Sequence, residues 1–275
     1  MKKVFSLIFV ALLAFALTAC SGAKNDTAKN DGNKKLVVGA TAVPHAEVLE
    51  AAKPLLKKKG IDLEIKVFQD YVLPNVALRD KELDANYFQT PGYLALQMKE
   101  NKDFHFVSVG EIHKEPIGIY SKKYKSLKDL PTGAKIIMSN SLSDHGRILP
   151  IFEKAGLIKL KKGVGANARV EDIVSNPKKL DFSTLIEAKL LASSFQSGEG
   201  DAVVINTNYA LEGGIDIKKY GIAFEGKDVV PANLVVVRSE DKDRPEIKTL
   251  VEVLKSKEIQ NFIKDKYHGA VLAAE

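Results

Sequence analysis

"KKLVVGATAVPHAEVLEAAKPLLKKKGIDLEIKVFQ", Lys34 to Gln69, decides the fold class. Leu36 to Val43 is a short, nearly unbroken apolar run, the pattern of a strand buried on both faces. Val48, Leu49, Ala52, Leu55 and Leu56 then recur at helical spacing, and Gly60 fits the position just past a helix C-terminus. "DLEIKVFQ", Asp62 to Gln69, alternates as a strand should. Strand, helix and strand in so few residues predict an α/β chain with mostly parallel sheets covered on both faces.

The rhythm continues outward. Further strands are expected at Phe104–Val109, Gly118–Ser121, Ala134–Ser139, Asp201–Asn206 and Leu234–Arg238, and helices at Pro91–Glu100, Gly146–Ala155, Ser183–Phe195 and Pro245–Lys266. Two passages interrupt it: "SKKYKSLKDLPTGAK", Ser121 to Lys135, and "GKDVVPANL", Gly226 to Leu234. Two breaks suit a chain that leaves one lobe, builds a second and returns. The expected division is 36–120 plus 231–275 for lobe 1 and 121–230 for lobe 2, with the ligand cleft between the lobes. Loops beyond the carboxyl ends of strands would line that cleft.

The N-terminus gives an address. Lys2 and Lys3 precede an apolar run from Val4 to Leu17, broken only by Ser6. That is too short for a membrane span, which takes about 20 apolar residues, and it fits a secretory signal peptide over 1–19. Leu17-Thr18-Ala19-Cys20 resembles a bacterial lipobox, which makes Cys20 the lipidation site and anchors the mature protein to a membrane on its extracytoplasmic face. Cys20 is the only cysteine, so once acylated it leaves no thiol for a disulfide, a metal or catalysis. Residues 20–35 are small and polar and read as a flexible tether, unable to offset their ordering entropy by burial.

Several function classes drop out. The formal charge of +6 includes the two signal lysines, and the other lysines are interspersed with acids, so no nucleic-acid footprint is expected. The five histidines, His45, His105, His113, His145 and His268, stand in no zinc-site spacing. Ser143, Asp144 and His145 are consecutive, whereas hydrolase triads come from separated positions. No nucleotide-cradling glycine loop is present. No enzymatic activity, cofactor or metal is expected.

What remains is a set of polar groups where strands end. "SNSLSDHGR", Ser139 to Arg147, leads from a strand into a helix, a junction whose free N–H groups and dipole suit a carboxylate. The Arg147 fork could hold one in two hydrogen bonds, although N-capping by Ser143 or Asp144 with Arg147 in solvent is the commoner arrangement. "VINTNYA" ends a strand with Asn206, Asn208 and Tyr209, and Asn233 opens another. "DANYFQTPGYLALQMK", Asp84 to Lys99, gathers Tyr87, Phe88 and Tyr93 in a chain with no tryptophan. Aromatic and amide groups together are what an amino-acid site requires.

With "VGATAVPHAEVLE", "QDYVLPNVAL", "LDANYFQ", "EPIGIYSKK", "EKAGLIKLK" and "DAVVINTNYALEGG" in this order, the chain from about Leu36 to Ala270 resembles the methionine-binding lipoprotein family, the extracytoplasmic receptors of methionine ABC importers. The resemblance implies a two-lobed periplasmic-binding-protein fold, capture of a free amino acid, and delivery to a permease powered by an intracellular ATPase. It implies that Tyr71, Phe88 and Tyr93 wall the side-chain pocket and that Arg147 clamps the carboxylate. Asn206 and Asn233 would bind the amino and carboxylate groups. Tyr87, on the opposite side of its strand from Phe88, is read as packing.

The chain departs from the family pattern at the cleft. Thr90 stands for the usual histidine and Gly92 for the usual proline. Asn140-Ser141-Leu142-Ser143-Asp144 replaces Asn-Asp-Pro-Thr-Asn, and Pro231 replaces a common tyrosine. Thr90 and Asp144 therefore join the expected ligand contacts. Methionine is the expected ligand, with another amino acid, basic or polar, as the alternative. A non-transport surface lipoprotein and an anion receptor built on the loop around Arg147 are the other readings of the same residues.

Overall fold

The computed structural model describes residues 33–274. The expected signal peptide, Cys20 and nearly all of the expected tether lie outside them. Lys34 and Lys35, counted with the tether, are in the first strand, because Lys34 already pairs beside Ile61.

The strand–helix–strand opening is β1 (Lys34–Thr41), α1 (Glu47–Lys58) and β2 (Ile61–Phe68). Strand β1 is parallel to β2. Gly60 adopts φ +76° directly after α1, a left-handed turn that glycine makes without strain. The chain continues through α2 (Leu73–Arg79), β3 (Ala85–Gln89), α3 (Pro91–Glu100), β4 (Phe106–Lys114), β5 (Gly118–Tyr120), β6 (Lys135–Ser139) and α4 (Leu142–Lys154). A small hairpin, β7 (Lys159–Leu160) and β8 (Ile173–Ser175), precedes β9 (Asp181–Ile186), α5 (Leu191–Gln196), β10 (Ala202–Ile205), α6 (Thr207–Glu212), α7 (Ile217–Tyr220) and β11 (Gly221–Phe224). Strand β12 (Ala232–Arg238), α8 (Pro245–Leu254), α9 (Lys257–Tyr267) and β13 (Leu272–Ala273) complete it.

Two main sheets result. One has the order β13-β4-β12-β3-β1-β2, the other β11-β5-β10-β6-β9. Each has its own core: Leu36, Val38, Leu49 and Val235 in the first, Ile119, Ile136, Leu149 and Phe152 in the second. The fold is the expected two-lobed α/β architecture, with three corrections. Both sheets are mixed rather than mostly parallel: the returning β12 runs antiparallel to β3 and β4, and β5 runs antiparallel to β10 and β11. Strand β5 belongs to the second sheet, so residues 118–120 go with that sheet although the sequence reading counted them with lobe 1.

The third correction concerns helices. The expected helix Ser183–Phe195 begins as strand β9, because "DFSTLI" alternates and pairs with β6. The expected helix Pro245–Lys266 is two, divided where Ser256 caps α9 by accepting from the Ile259 N–H. Among the described residues no helix is long and apolar enough to cross a membrane.

Candidate functional site

The carboxyl ends of β1, β3, β4, β6 and β10 and the start of β12 converge between the sheets. Because β12 is antiparallel to β3, Leu234 lies beside Gln89, which brings Asn233 to the mouth of the first sheet. All eight residues expected to contact ligand line one pocket there: Tyr71, Phe88, Thr90, Tyr93, Asp144, Arg147, Asn206 and Asn233. Its free volume is about 30 Å³, room for little more than a water.

One wall is aromatic. Tyr71 lies 5.9 Å from Phe88 and 5.8 Å from Tyr93, ring centre to ring centre, and Phe88 lies 6.0 Å from Tyr93. Tyr209, from the second sheet's side, packs on Tyr71 at 5.0 Å. The rings are held by their hydroxyls: Tyr93 donates to the Tyr71 carbonyl at 3.0 Å and Tyr71 donates to Asn208 Oδ1 at 2.6 Å. Burial raises the Tyr71 hydroxyl well above its ordinary pKa, with nearby Tyr209, Asp144 and Glu115 adding to the effect, so it remains a donor. Asn208 Nδ2 is buried without a partner among the described residues. An orphan donor of that kind costs free energy until something accepts from it.

Arg147 is already engaged by groups of the protein itself. Its Nε donates to Glu225 Oε1 at 3.1 Å and its Nη2 to Glu225 Oε2 at 2.6 Å and to the Glu115 carbonyl at 2.9 Å. The fork edge is thus occupied by Glu225, leaving Nη1 as the edge open to a ligand. Burial opposes the Arg147 charge, but Glu225, with Asp144 and Glu115 nearby, raises its pKa overall. Among the described residues no ion pair joins Arg147 to Asp144. Asp144, though buried, receives only a 3.4 Å contact from Asn206 Nδ2.

Behind Asn233 lies a network that the sequence reading missed. Glu115 Oε1 is 2.6 Å from His113 Nε2 and 3.2 Å from His45 Nε2. Each Nδ1 faces a hydroxyl, His45 that of Thr41 at 2.7 Å and His113 that of Tyr87. One proton assignment satisfies every contact: both hydroxyls donate to Nδ1, and both Nε2–H groups donate to the one carboxylate oxygen. His45 Nε2 also reaches Asn233 Oδ1 at 3.1 Å, which turns the Asn233 amide NH₂ away as a donor. Burial lowers His45 to about 4, a shift that Glu115 partly offsets, and lowers His113 to about 3; burial raises Glu115. The three ligand atoms lie within 4.8 Å of one another, a separation an ion could bridge, but hydrogen bonds already engage them. Tyr87 is packed as expected and also anchors this network.

Comparison with known proteins decides the family. The family model for NlpA lipoproteins matches residues 36–275. The chain belongs to the NlpA lipoprotein family. Within this family, the Bacillus subtilis methionine-binding lipoprotein MetQ is 48% identical over 274 residues, covering 99% of this chain and 98% of the relative. The D-methionine-binding lipoprotein MetQ of Escherichia coli K12 is 36% identical over 271 residues, covering 98% and 97%. A nutrient-binding protein from Burkholderia cenocepacia, solved bound to methionine, superimposes with a TM-score of 0.82 at 42% identity, covering 87% of this chain and all of that one, 100%. The two-lobed NlpA fold is thus shared with solved relatives. His45 and Glu115 carry no local signature, since they meet across 70 positions of chain (115 − 45).

Proposed function

We propose that this NlpA-family protein is a lipid-anchored extracytoplasmic receptor that captures methionine and hands it to an ABC importer. The observation that carries the reading is the union of an aromatic box with amide and guanidinium donors in one closed interlobe pocket. A thioether gains from aromatic contact, and the donors of Asn233 and Arg147 suit a carboxylate. Asp144 and Glu115 supply negative charge for the ammonium. The pocket admits ligand by hinged parting and closing of the lobes. The relatives' capacity to bind methionine supports the same reading here.

Asp144 also favours a second reading. It lines the same pocket as Tyr71 and Tyr93 and adds to burial in raising their hydroxyls above the ordinary pKa, so a basic side chain in the box would find a partner. Both readings are tested by a thermal-shift panel of the twenty amino acids on unfolded-and-refolded, ligand-free protein, repeated with Asp144→Asn. Methionine should stabilise both forms. A basic amino acid stabilising only the native form would replace methionine as the ligand. No stabilisation by any of the twenty would end the receptor reading.

A further inference from the structure

Asn208, the second residue of α6, is 2% exposed and lines the same pocket as Arg147 and Asn233. Two bonds fix it. Its backbone N–H donates to the Glu115 carboxylate, and its Oδ1 accepts from the Tyr71 hydroxyl at 2.6 Å. Turning the amide over would set its NH₂ against that hydroxyl and leave the Tyr71 proton without an acceptor among the described residues. The atom left over is therefore Nδ2, buried and without a partner among the described residues.

A buried amide donor with nothing to accept from it destabilises the fold. Leucine has nearly the shape of asparagine and would carry no such penalty. A polar group that breaks a packing rule beside a pocket points to a ligand. Of the groups the proposed ligand brings, the ammonium is itself a donor and cannot answer Nδ2. A thioether sulfur is a weak acceptor, whereas a carboxylate offers about four acceptor sites. Arg147 has already given Nε and Nη2 to Glu225 and to the Glu115 carbonyl. A clamp so engaged leaves acceptor sites for another donor, and a bond to an ionised oxygen is roughly twice as strong as a neutral one.

We infer that Asn208 is a further ligand-binding residue, whose Nδ2 donates to the carboxylate of the bound amino acid. The Tyr71 hydroxyl is a positioning group that holds the amide in its donating orientation, so Tyr71 serves both by its ring and by its hydroxyl. The inference rests on the amino-acid-receptor reading of this pocket. It adds a determinant of specificity: Asn208 favours ligands with a free carboxylate.

The test is calorimetry on refolded, ligand-free protein with L-methionine, L-norleucine and L-methioninamide. Norleucine keeps the carboxylate and exchanges sulfur for a methylene; the amide keeps the sulfur and loses the negative charge. Asn208→Leu should weaken methionine and norleucine alike, by at least about tenfold, the loss of one hydrogen bond to a charged group. Methioninamide should weaken by about threefold or less. Tyr71→Phe, which keeps the ring, should reproduce this pattern with smaller losses. Tyr71→Phe combined with Asn208→Leu removes the hydrogen bond and the orphan donor together, and its ligand-free melting midpoint should not fall below that of wild type. A loss for methionine but not norleucine would assign Nδ2 to the sulfur and overturn the inference. Equal losses for all three probes, or none for any, would make Asn208 a structural residue and overturn it too. Each of these outcomes leaves the receptor reading standing. If none of the three probes bound the unsubstituted protein, the receptor reading would fall and the inference with it.

Discussion

Removing the counter-charge of Arg147 tests both the packing and the chemistry of the site. Glu225→Gln keeps the shape of the side chain but deletes a carboxylate that accepts from Nε and Nη2 of Arg147 and, through Oε2, from the Ile117 N–H at 3.2 Å. The Arg147 and Glu225 side chains are only 15% and 4% exposed, so water cannot replace the lost partner. A glutamine can present one oxygen, and its NH₂ would meet donors on the other side. Breaking a buried pair from one side costs about 3–5 kcal/mol, because it leaves a charge uncompensated. For a chain of this size each kcal/mol lowers the melting midpoint by about 2–4 °C, so a fall of about 6–20 °C is expected. Saturating methionine should narrow the gap, since its carboxylate would supply the missing negative charge at Arg147. The assay is calorimetric melting of refolded protein with and without methionine. A control, Arg147→Met with Glu225→Met, should lose less stability than Glu225→Gln, its remaining cost being the unpaired Ile117 N–H and Glu115 carbonyl, and bind methionine poorly. An unchanged midpoint for Glu225→Gln would refute the ion-pair argument, and a gap indifferent to methionine would refute the placement of the ligand's carboxylate.

Three further outcomes follow from the same geometry. His45 and His113 are held below the ordinary value, at about 4 and about 3, so the unfolded chain binds more protons than the native one as pH falls below 6.5. Their stabilisation is complete above that pH and is lost as pH drops toward the native values, with up to about 3 kcal/mol from His45; the raised Glu115 acts in the opposite sense and offsets part of the loss. Urea midpoints of His45→Gln should therefore fall less steeply than wild type between pH 6.5 and 4, and parallel curves would contradict the assignment. Asn233→Ala removes the donor that His45 orients and should cost about 2–5 kcal/mol of methionine binding with the fold retained, as isothermal calorimetry and circular dichroism would record. Cys20→Ala should move the protein from the detergent phase to the aqueous phase or leave it unprocessed, and an unchanged membrane fraction would count against a lipid anchor.

The sequence alone determined those features that depend on near neighbours. The apolar run Leu36–Val43, the helical spacing through Leu56 and the glycine after it specify β1, α1 and their turn, because local periodicity and one left-handed residue carry the information. The same reasoning reached Phe88, Tyr93, Arg147, Asn206 and Asn233, which stand where apolar runs stop at polar groups, whereas Tyr71 and Thr90 were implied only by the family resemblance. Local pattern failed at Ser183–Phe195, where β9 forms because β6 is there to pair with it. Nor does local pattern reveal the partner of Arg147, Glu225, which lies 78 positions away. No periodicity predicts that a carboxylate on one crossing segment will take the guanidinium edge expected for a ligand. Nor does it predict that Thr41, His45, Glu115 and Asn233 will form one chain of hydrogen bonds. Those choices were made by tertiary packing within each lobe, Arg147 and Glu225 beside the second sheet and the other four residues at strand ends of the first. Once buried, each polar group must find a partner among whatever the fold brings within about 3 Å, because an unpaired one is too costly to keep.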